Sequence, residues 1–244
     1  MKKQKFIDSI NPIALKGVAH RGYWNDERTE NGIPAFKAAL ENGIAIELDV
    51  HLSKDNQLVV CHDENLKRTT GKEGIIEDLT VHEIKDNYRL FDGSEVPTFQ
   101  QVLDLVNERV PIFVELKTWK KNNKPLAARV KVELERIKDK KNIILIAFDP
   151  RALFPCKNFG FVRSFLVAIS HKRTWIFHSR FESVDVEYQM LDWPKVKRYQ
   201  KKHFVNCWTI ETPESLAQVK GKTDTITFQR LDYKDVRKTL NKEA

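Results

Sequence analysis

No run of 18 apolar residues occurs in the 244-residue chain, which excludes a membrane-spanning helix. Cysteine is scarce. Cys61, Cys156 and Cys207 are odd in number and widely separated, with no zinc-type pairing, so they read as three reduced, buried thiols. The start, Met1-Lys2-Lys3-Gln4-Lys5-Phe6-Ile7-Asp8, is basic but lacks the apolar stretch of a signal peptide. A cytoplasmic location is the expectation from these absences. No Gly/Ser linker, repeat period or shift in composition divides residues 1–244, so one domain is expected. What is present fits a globular chain: 41% apolar and 31% charged residues exclude a disordered or fibrous protein. A chain of this length buries roughly 70–75% of the surface its unfolded form exposes, so its core needs no disulfide or metal staple.

The net charge is +8. Much of it lies in Lys117–Lys124, Arg136–Lys141 and Lys195–Lys202, which read as solvated helix faces or connections. A nucleic-acid surface would interleave basic groups with stacking aromatics or present a recognisable module, and neither is visible. The charge favours an anionic small-molecule substrate, or a weak attraction to a membrane surface. No pattern specifies an oligomeric state.

Short apolar runs alternate with helical patterns along most of the chain. Strand candidates are 17–20, 44–50, 58–62, 112–116, 143–148, 165–169, 184–188, 205–210 and 225–228. Several lack polar alternation, as expected of parallel strands covered on both faces. Helix boundaries are signalled as well. Pro34 sits early in a helix that ends near Gly43, Thr98 with Gln101 forms a capping box, and Thr212-Pro213 opens a helix that stops before Gly221. This alternation predicts an α/β fold, a (β/α)8 barrel. It is an irregular one. Seven residues, His51 to Gln57, separate the second and third strands, too few for a crossover helix. The chain must fold back at Asp55-Asn56, and one of the nine strands is extra or peripheral. Residues 64–97 read as a small insertion at one barrel end, with a short helix capped by Thr80 and Glu83 and a turn at Asp92-Gly93.

Functional groups of a barrel collect at the C-terminal ends of its strands. The first four candidates end in Ala19-His20-Arg21-Gly22, Glu47-Leu48-Asp49, Cys61-His62-Asp63 and Glu115-Leu116-Lys117. Strand periodicity puts Glu47 and Asp49 on one face, and Glu115 and Lys117 on one face. Three carboxylates at one concave mouth repel one another unless a cation joins them. Oxygen ligands without thiolates point to a hard divalent ion, Mg²⁺ or Ca²⁺. His20 and His62 could exchange protons near neutral pH, and Arg21 and Lys117 would neutralise a phosphate. Together these groups describe metal-assisted phosphoester hydrolysis. Other candidates read more plainly. His51 reads as a surface histidine where the chain turns back, and Glu30-Asn31 as helix capping. His82, His171, His178 and His203 read as structural.

The set His20-Arg21-Gly22, Glu30-Asn31, Glu47-Leu48-Asp49, Ser53-Lys54-Asp55, Cys61-His62-Asp63, Arg68-Thr69-Thr70-Gly71, Val96-Pro97-Thr98 and Glu115-Leu116-Lys117 resembles the glycerophosphodiester phosphodiesterase family. The likeness covers residues 17–117, with weaker echoes at Phe148-Asp149-Pro150 and Cys207-Trp208-Thr209. It implies a TIM barrel with a small insertion after the third strand. Metal ligands would fall on Glu47, Asp49 and Glu115, paired histidines on His20 and His62, and phosphate contacts on Arg21 and Lys117. Trp208 would line the alcohol end of the pocket. The chain departs from the family pattern in three places. Thr29 and Gly32 flank Glu30-Asn31 where Pro and Thr are usual. Glu211 stands where an Asn commonly follows Trp-Thr. The usual Thr-Asp near the end reads as Thr227-Phe228.

The expected function is metal-dependent hydrolysis of glycerophosphodiesters to glycerol 3-phosphate and an alcohol, with water or a substrate hydroxyl as nucleophile. One alternative is a phospholipase D-like enzyme acting on lysophospholipid or sphingolipid. It would show an apolar rim on the mouth, for which Leu90-Phe91 and Trp119 are candidates. An alternative of another class is a catalytically silent barrel that only binds.

Overall fold

The structure, a computed structural model, describes residues 1–240. Its single sheet contains β1 (Val18–Ala19), β2 (Ala45–Leu52), β3 (Leu58–Val60), β4 (Ile112–Leu116), β5 (Ile143–Ala147), β6 (Val162–Val167), β7 (Ser183–Glu187), β8 (Val205–Ile210) and β9 (Thr225–Phe228). All neighbours except β3 run parallel in the order β1-β9-β8-β7-β6-β5-β4-β2, and β1 also pairs with β2, which closes the ring. Eight parallel strands closed in this way are a (β/α)8 barrel. β3 is the extra strand. It lies antiparallel on β2 outside the ring, with Val50 opposite Val60, because the connection is too short to cross over. Asn56, at φ 58°, makes the reversal, and the Ser53 hydroxyl accepts the Gln57 N–H at 2.9 Å to close it.

Alternation along the strands divides the molecule into two apolar layers. Ile46, Leu48 and Val50 of β2 face outward and join the large cluster between sheet and helices. Ala45 of β2 faces inward and meets Phe113, Ile144, Val162 and Leu166 in the barrel interior. The N-terminal segment plugs one end of that interior: Phe6, on the helix Lys3–Ile7, stacks on Phe204 with ring centroids 4.5 Å apart. The sealed end is the N-terminal end of the strands, so the inward polar residues gather at the opposite mouth.

The connecting elements stop where local chemistry says they should. Thr98 and Gln101 form a reciprocal capping box on the helix Phe99–Val106. Gly43, at φ +61°, follows the helix Ile33–Glu41 and turns the chain into β2, a left-handed conformation that glycine adopts without steric cost. The strand expected at 165–169 instead spans Val162–Val167. Arg163 interrupts the apolar run, yet it is buried because Nε and Nη2 donate to Glu182 at 3.0 and 2.8 Å.

Residues 64–97 pack around a satellite core of their own, in which Leu66, Ile76, Ile84, Tyr88 and Leu90 meet Val59 and Cys61. Its helix, Val81–Asn87, carries the capping box of Thr80 and Glu83. The segment is tied to the first barrel loop by the Thr29 N–H, which donates to Asp92 Oδ2 at 2.8 Å. Leu90 is spent on this core and is not part of a mouth rim, whereas Phe91 is 70% exposed. All three cysteines are buried and unpaired; burial pushes each thiol up to about 12. No helix among the described residues is long and apolar enough to cross a membrane.

Candidate active site

The register of β2 and β4 sets the first half of the site. Asp49 lies opposite Glu115, and Glu47 lies one inward position below Asp49, so one ligand oxygen from each falls within 4.8 Å of the others. All three carboxylates are buried, at 2%, 0% and 7% exposure for Glu47, Asp49 and Glu115. Three buried carboxylates without compensation would be untenable, and two cations flank them. Lys117 Nζ stands 2.9 Å from Glu115 Oε1 and 3.5 Å from Asp49 Oδ1. Arg21 Nε stands 3.5 Å from Asp49 Oδ2, and the Arg21 backbone N–H donates to Glu47 Oε2 at 2.9 Å. Arg21 can make both contacts because it sits at φ 57°, a left-handed turn directly after β1. Such a conformation is uncommon for a residue other than glycine and often accompanies a functional constraint.

The compensation is uneven. Burial raises Asp49, but Lys117 and Arg21 outweigh it and hold the carboxyl far below its ordinary range. Burial together with the charges of Asp49 and Glu115 pushes Glu47 well above the usual carboxylate range, against a smaller opposing effect of Arg21. Burial alone would lower Lys117, yet Glu115 and Asp49 hold it above its ordinary value. Asp49 Oδ1 is buried with no hydrogen-bond partner.

His20 and His62 both line one cavity of about 140 Å³ with Arg21, Glu47 and Glu115. His20 Nδ1 is 2.6 Å from Gln229 Oε1. An amide oxygen only accepts, so this nitrogen carries the proton and Nε2 is left free; that atom lies 3.9 Å from Glu47 Oε2. Burial and then the Arg21 charge lower His20 to about 4, so the ring is neutral at pH 7. His62 Nδ1 faces Asp63 Oδ1 at 2.5 Å, which likewise leaves its Nε2 free.

An ion-pair chain links the two histidines' surroundings. Asp63 Oδ2 accepts from Arg68 Nε at 2.6 Å, Arg68 Nη2 donates to Glu30 Oε1 at 2.7 Å, and Arg21 Nη1 donates to the same oxygen at 2.8 Å. Glu30-Asn31 therefore does not cap the following helix, whose N-cap is Gly32. Asn31 instead donates from Nδ2 to Asp49 Oδ2 at 2.9 Å. His51 is not at the surface either. It is 3% exposed, with Nδ1 against Glu77 Oε1 at 2.9 Å and Nε2 within 3.2 Å of the His62 carbonyl, where it braces the backbone that carries His62.

Of the eight residues read from the sequence, His20, Arg21, Glu47, His62, Glu115 and Trp208 line the cavity. Asp49 and Lys117 join it through the ion pairs above. Trp208 lines the same cavity with an aromatic ring. Its Nε1–H donates to the Asp185 carbonyl at 3.2 Å, and Phe148 meets it edge-on at 5.3 Å between centroids. Sequence reading missed Gln229, Asp63, Glu30, Arg68 and Asn31 as partners. The quoted motifs Glu30-Asn31, Cys61-His62-Asp63 and Arg68-Thr69-Thr70-Gly71 contain four of these five residues. Nothing local marks Gln229, which follows β9 directly.

It also missed Asp185, a fully enclosed carboxyl on β7 that reaches the same cavity. Ser164 Oγ donates to one of its oxygens and Asn206 Nδ2 to the other, the latter at 3.0 Å. Burial nevertheless raises it to about 6. The folded state thus holds its proton more tightly than the unfolded chain does. The associated stability is present below about pH 4 and is lost as pH rises through about 6. Asp185→Asn should remove that loss. In EDTA at pH 8 it is expected to stabilise the fold by about 2–3 kcal/mol relative to wild type, because the unpartnered Oδ1 of Asn206 can turn to accept the new amide. Thermal unfolding from pH 4 to 8 checks this; parallel curves for the two proteins would refute the assignment.

Comparisons with known proteins agree with this geometry. The model of the Glycerophosphoryl diester phosphodiesterase family matches residues 20–226. A glycerophosphodiester phosphodiesterase of Caldanaerobacter subterraneus subsp. tengcongensis is 44% identical over 111 residues, covering 41% of this chain and 44% of that protein. The chain thus matches less than half the length of that curated relative. A crystal structure of a glycerophosphodiester phosphodiesterase from Parabacteroides distasonis superposes with a TM-score of 0.74 at 27% identity, over 92% of this chain and 95% of that one. A phosphodiesterase from Oleispira antarctica, solved with the product sn-glycerol-3-phosphate, has a TM-score of 0.78 over 93% and 96% of the two chains; at 20% identity it speaks to the fold.

Proposed function

Because the chain belongs to the glycerophosphoryl diester phosphodiesterase family, we propose that it hydrolyses glycerophosphodiesters to glycerol 3-phosphate and a free alcohol, with a divalent cation, Mg²⁺ or Ca²⁺. The single observation that carries this reading is the cluster of Glu47, Asp49 and Glu115 at a cavity that is also lined by the two imidazoles of His20 and His62 and by Arg21. The residues fit a hard cation. All three ligands offer oxygen, Asp49 Oδ1 is buried without a hydrogen-bond partner, and the repulsion that lifts Glu47 is of the kind a cation relieves. Bound there, the ion would polarise the phosphate oxygens as a Lewis acid.

The chain's own residues supply the rest. Arg21 and Lys117 offset the charge that develops on the phosphate. His20, neutral at pH 7, accepts a proton at Nε2 from the attacking hydroxyl, either of water or of the substrate's glycerol; in the second case a cyclic phosphodiester forms as the alcohol leaves, and water then opens it to glycerol 3-phosphate. His62, when doubly protonated with its Nδ1–H held by Asp63, gives its Nε2 proton to the departing alcohol oxygen. Gln229 and Asp63 each accept the Nδ1–H of their ring, which leaves Nε2 to accept the proton on His20 and to carry it on protonated His62, as a triad carboxylate orients its histidine. Trp208 bounds the space for the alcohol. In this reading the whole chain works as one catalytic domain, with residues 64–97 as an insertion that carries Arg68 to Glu30. Three buried thiols suit the cytoplasm.

The test is a hydrolysis panel of glycerophosphodiesters and lysophospholipids with Mg²⁺ or Ca²⁺, following glycerol 3-phosphate release. Turnover of the water-soluble diesters, stopped by EDTA and restored by either ion, is expected. Turnover of lysophospholipids alone would move the enzyme to the lipid-cleaving alternative, and binding without turnover would make it a silent barrel.

A further inference from the structure

The helical segment Ile169–Arg180, which follows β6, and the helix Pro194–Gln200, which follows β7, lie side by side on the outside of the barrel. Trp175 of the first meets Tyr199 of the second at 5.6 Å between ring centroids, and a cavity of about 310 Å³ between the two carries Lys195, Arg198 and Lys202 in its lining. Residues 169–180 and 193–203 together hold eight Lys and Arg and no Asp or Glu. Taking those eight from the chain's 42 Lys and Arg leaves 34, equal to its 34 Asp and Glu, so the whole net charge of +8 resides on this one face. We propose that this face docks the protein on an anionic lipid bilayer, with its basic side chains at the headgroup phosphates and Ile176 entering the interfacial layer.

All eight basic residues are exposed. Among the described residues, only Lys197 of the eight makes an ion pair, with Asp192 at 2.9 Å. Crowded cations without carboxylate partners repel one another, and a surface of opposite charge relieves that repulsion. An apolar element joins them. A 3₁₀ turn holds three residues, so side chains three apart share a ridge. Beyond a kink at His171, Trp175 is turned in and buried, while Ile176, one position on, is 74% exposed; Arg173 shares its ridge. An exposed aliphatic side chain set among basic ones suits a bilayer interface. A nucleic acid is the rival polyanion, and its bases would need bare aromatic faces on which to stack. Here those faces are taken: His178 stacks on Trp175 at 4.8 Å, His203 on Tyr199 at 4.3 Å, and Lys195 lies over Trp193 at 5.1 Å. The Ile169 N–H donates to Glu187 at the end of β7, so the docked face reaches the rim of the barrel mouth.

The experiment is co-sedimentation of the full chain with vesicles of phosphatidylcholine alone, and of phosphatidylcholine with an equal part of phosphatidylglycerol. Each Lys or Arg at an anionic surface contributes about five-fold in partitioning. The anionic vesicles should therefore bind at least about ten-fold more tightly than the neutral ones, with a preference that shrinks as salt is raised. Arg198→Ala with Lys202→Ala should weaken that binding roughly 20-fold, and Ile176→Ser about three-fold. Lys121→Ala with Lys124→Ala, in a basic stretch outside this face, should leave it unchanged, and thermal unfolding checks that each variant is folded. No preference for anionic vesicles would overturn the proposal. So would an equal loss in both double variants, since net charge rather than this face would then be responsible. Ile176→Ser protein that binds like wild type would overturn the insertion of that side chain. Tighter binding to a poly-uridylate oligonucleotide than to the anionic vesicles would overturn the bilayer in favour of a nucleic acid. None of these measurements uses turnover, so failure here and failure of the hydrolytic reading are read separately.

Discussion

Replacing His20 or His62 with alanine is expected to lower kcat by about 10²–10⁴-fold each, the usual contribution of a positioned acid or base. The two rings are held differently, which separates a lost proton carrier from lost structure. His20 is anchored by the neutral amide of Gln229 and His62 by the carboxylate of Asp63. Gln229→Ala and Asp63→Asn leave the rings in place but release their tautomers. These variants should therefore lose a smaller part of kcat, with KM little changed, whereas the histidine variants lose nearly all turnover. Steady-state kinetics on the best diester of the panel, with thermal unfolding as a control for the fold, checks the series. A His20→Ala or His62→Ala enzyme that kept most of its kcat would remove that ring from the mechanism.

Glu47→Gln is expected to abolish turnover, to remove most of the protein's stabilisation by metal, and to stand above wild type in stability once metal is chelated. Metal binding only to the native state stabilises it by mass action, by about 2.7 kcal/mol at a hundred times the dissociation constant. Wild type should therefore melt higher as Mg²⁺ or Ca²⁺ is raised, and the variant should lose most of that increase. In EDTA the order reverses. The folded-state pKa of Glu47 is raised, by burial and then by Asp49 and Glu115, so the stability tied to its protonated form is present at low pH and is lost as pH rises through that raised value. A neutral glutamine of the same shape escapes this loss. In EDTA, Glu47→Gln should thus melt above wild type at pH 8 and close to it at pH 4. Differential scanning calorimetry across pH, with and without metal, reads both effects. Full wild-type activity after exhaustive chelation, with no metal found by elemental analysis, would overturn the cation assignment and leave a salt-bridge cluster of Arg21 and Lys117 with the three carboxylates.

Sequence alone determined whatever depends on neighbours along the chain. The two-residue period of a strand puts Glu47 and Asp49 on one face wherever β2 lies. The reciprocal bonds of Thr98 with Gln101 and of Thr80 with Glu83 span three residues, and the seven residues between the strand candidates 44–50 and 58–62 leave no topology but a reversal. Strand ends rich in ionisable groups therefore announced the mouth before any packing was known. Closure of the ring decided the rest, because it brings together residues whose separation in sequence carries no signal. Gln229 meets His20 only when β9 closes on β1. Glu30 meets Arg68 only when the insertion folds back over the first loop, so the Glu30-Asn31 pair, which locally looks like a cap, serves the site. His51 is buried because β3 and the segment bearing Glu77 cover it, although its sequence neighbours place it at a turn. Arg163 hides the start of β6 for the same reason: its partner, Glu182, arrives from the far end of the β6–β7 connection. A buried charge is tolerable only with its partner in place, and tertiary structure alone supplies that partner.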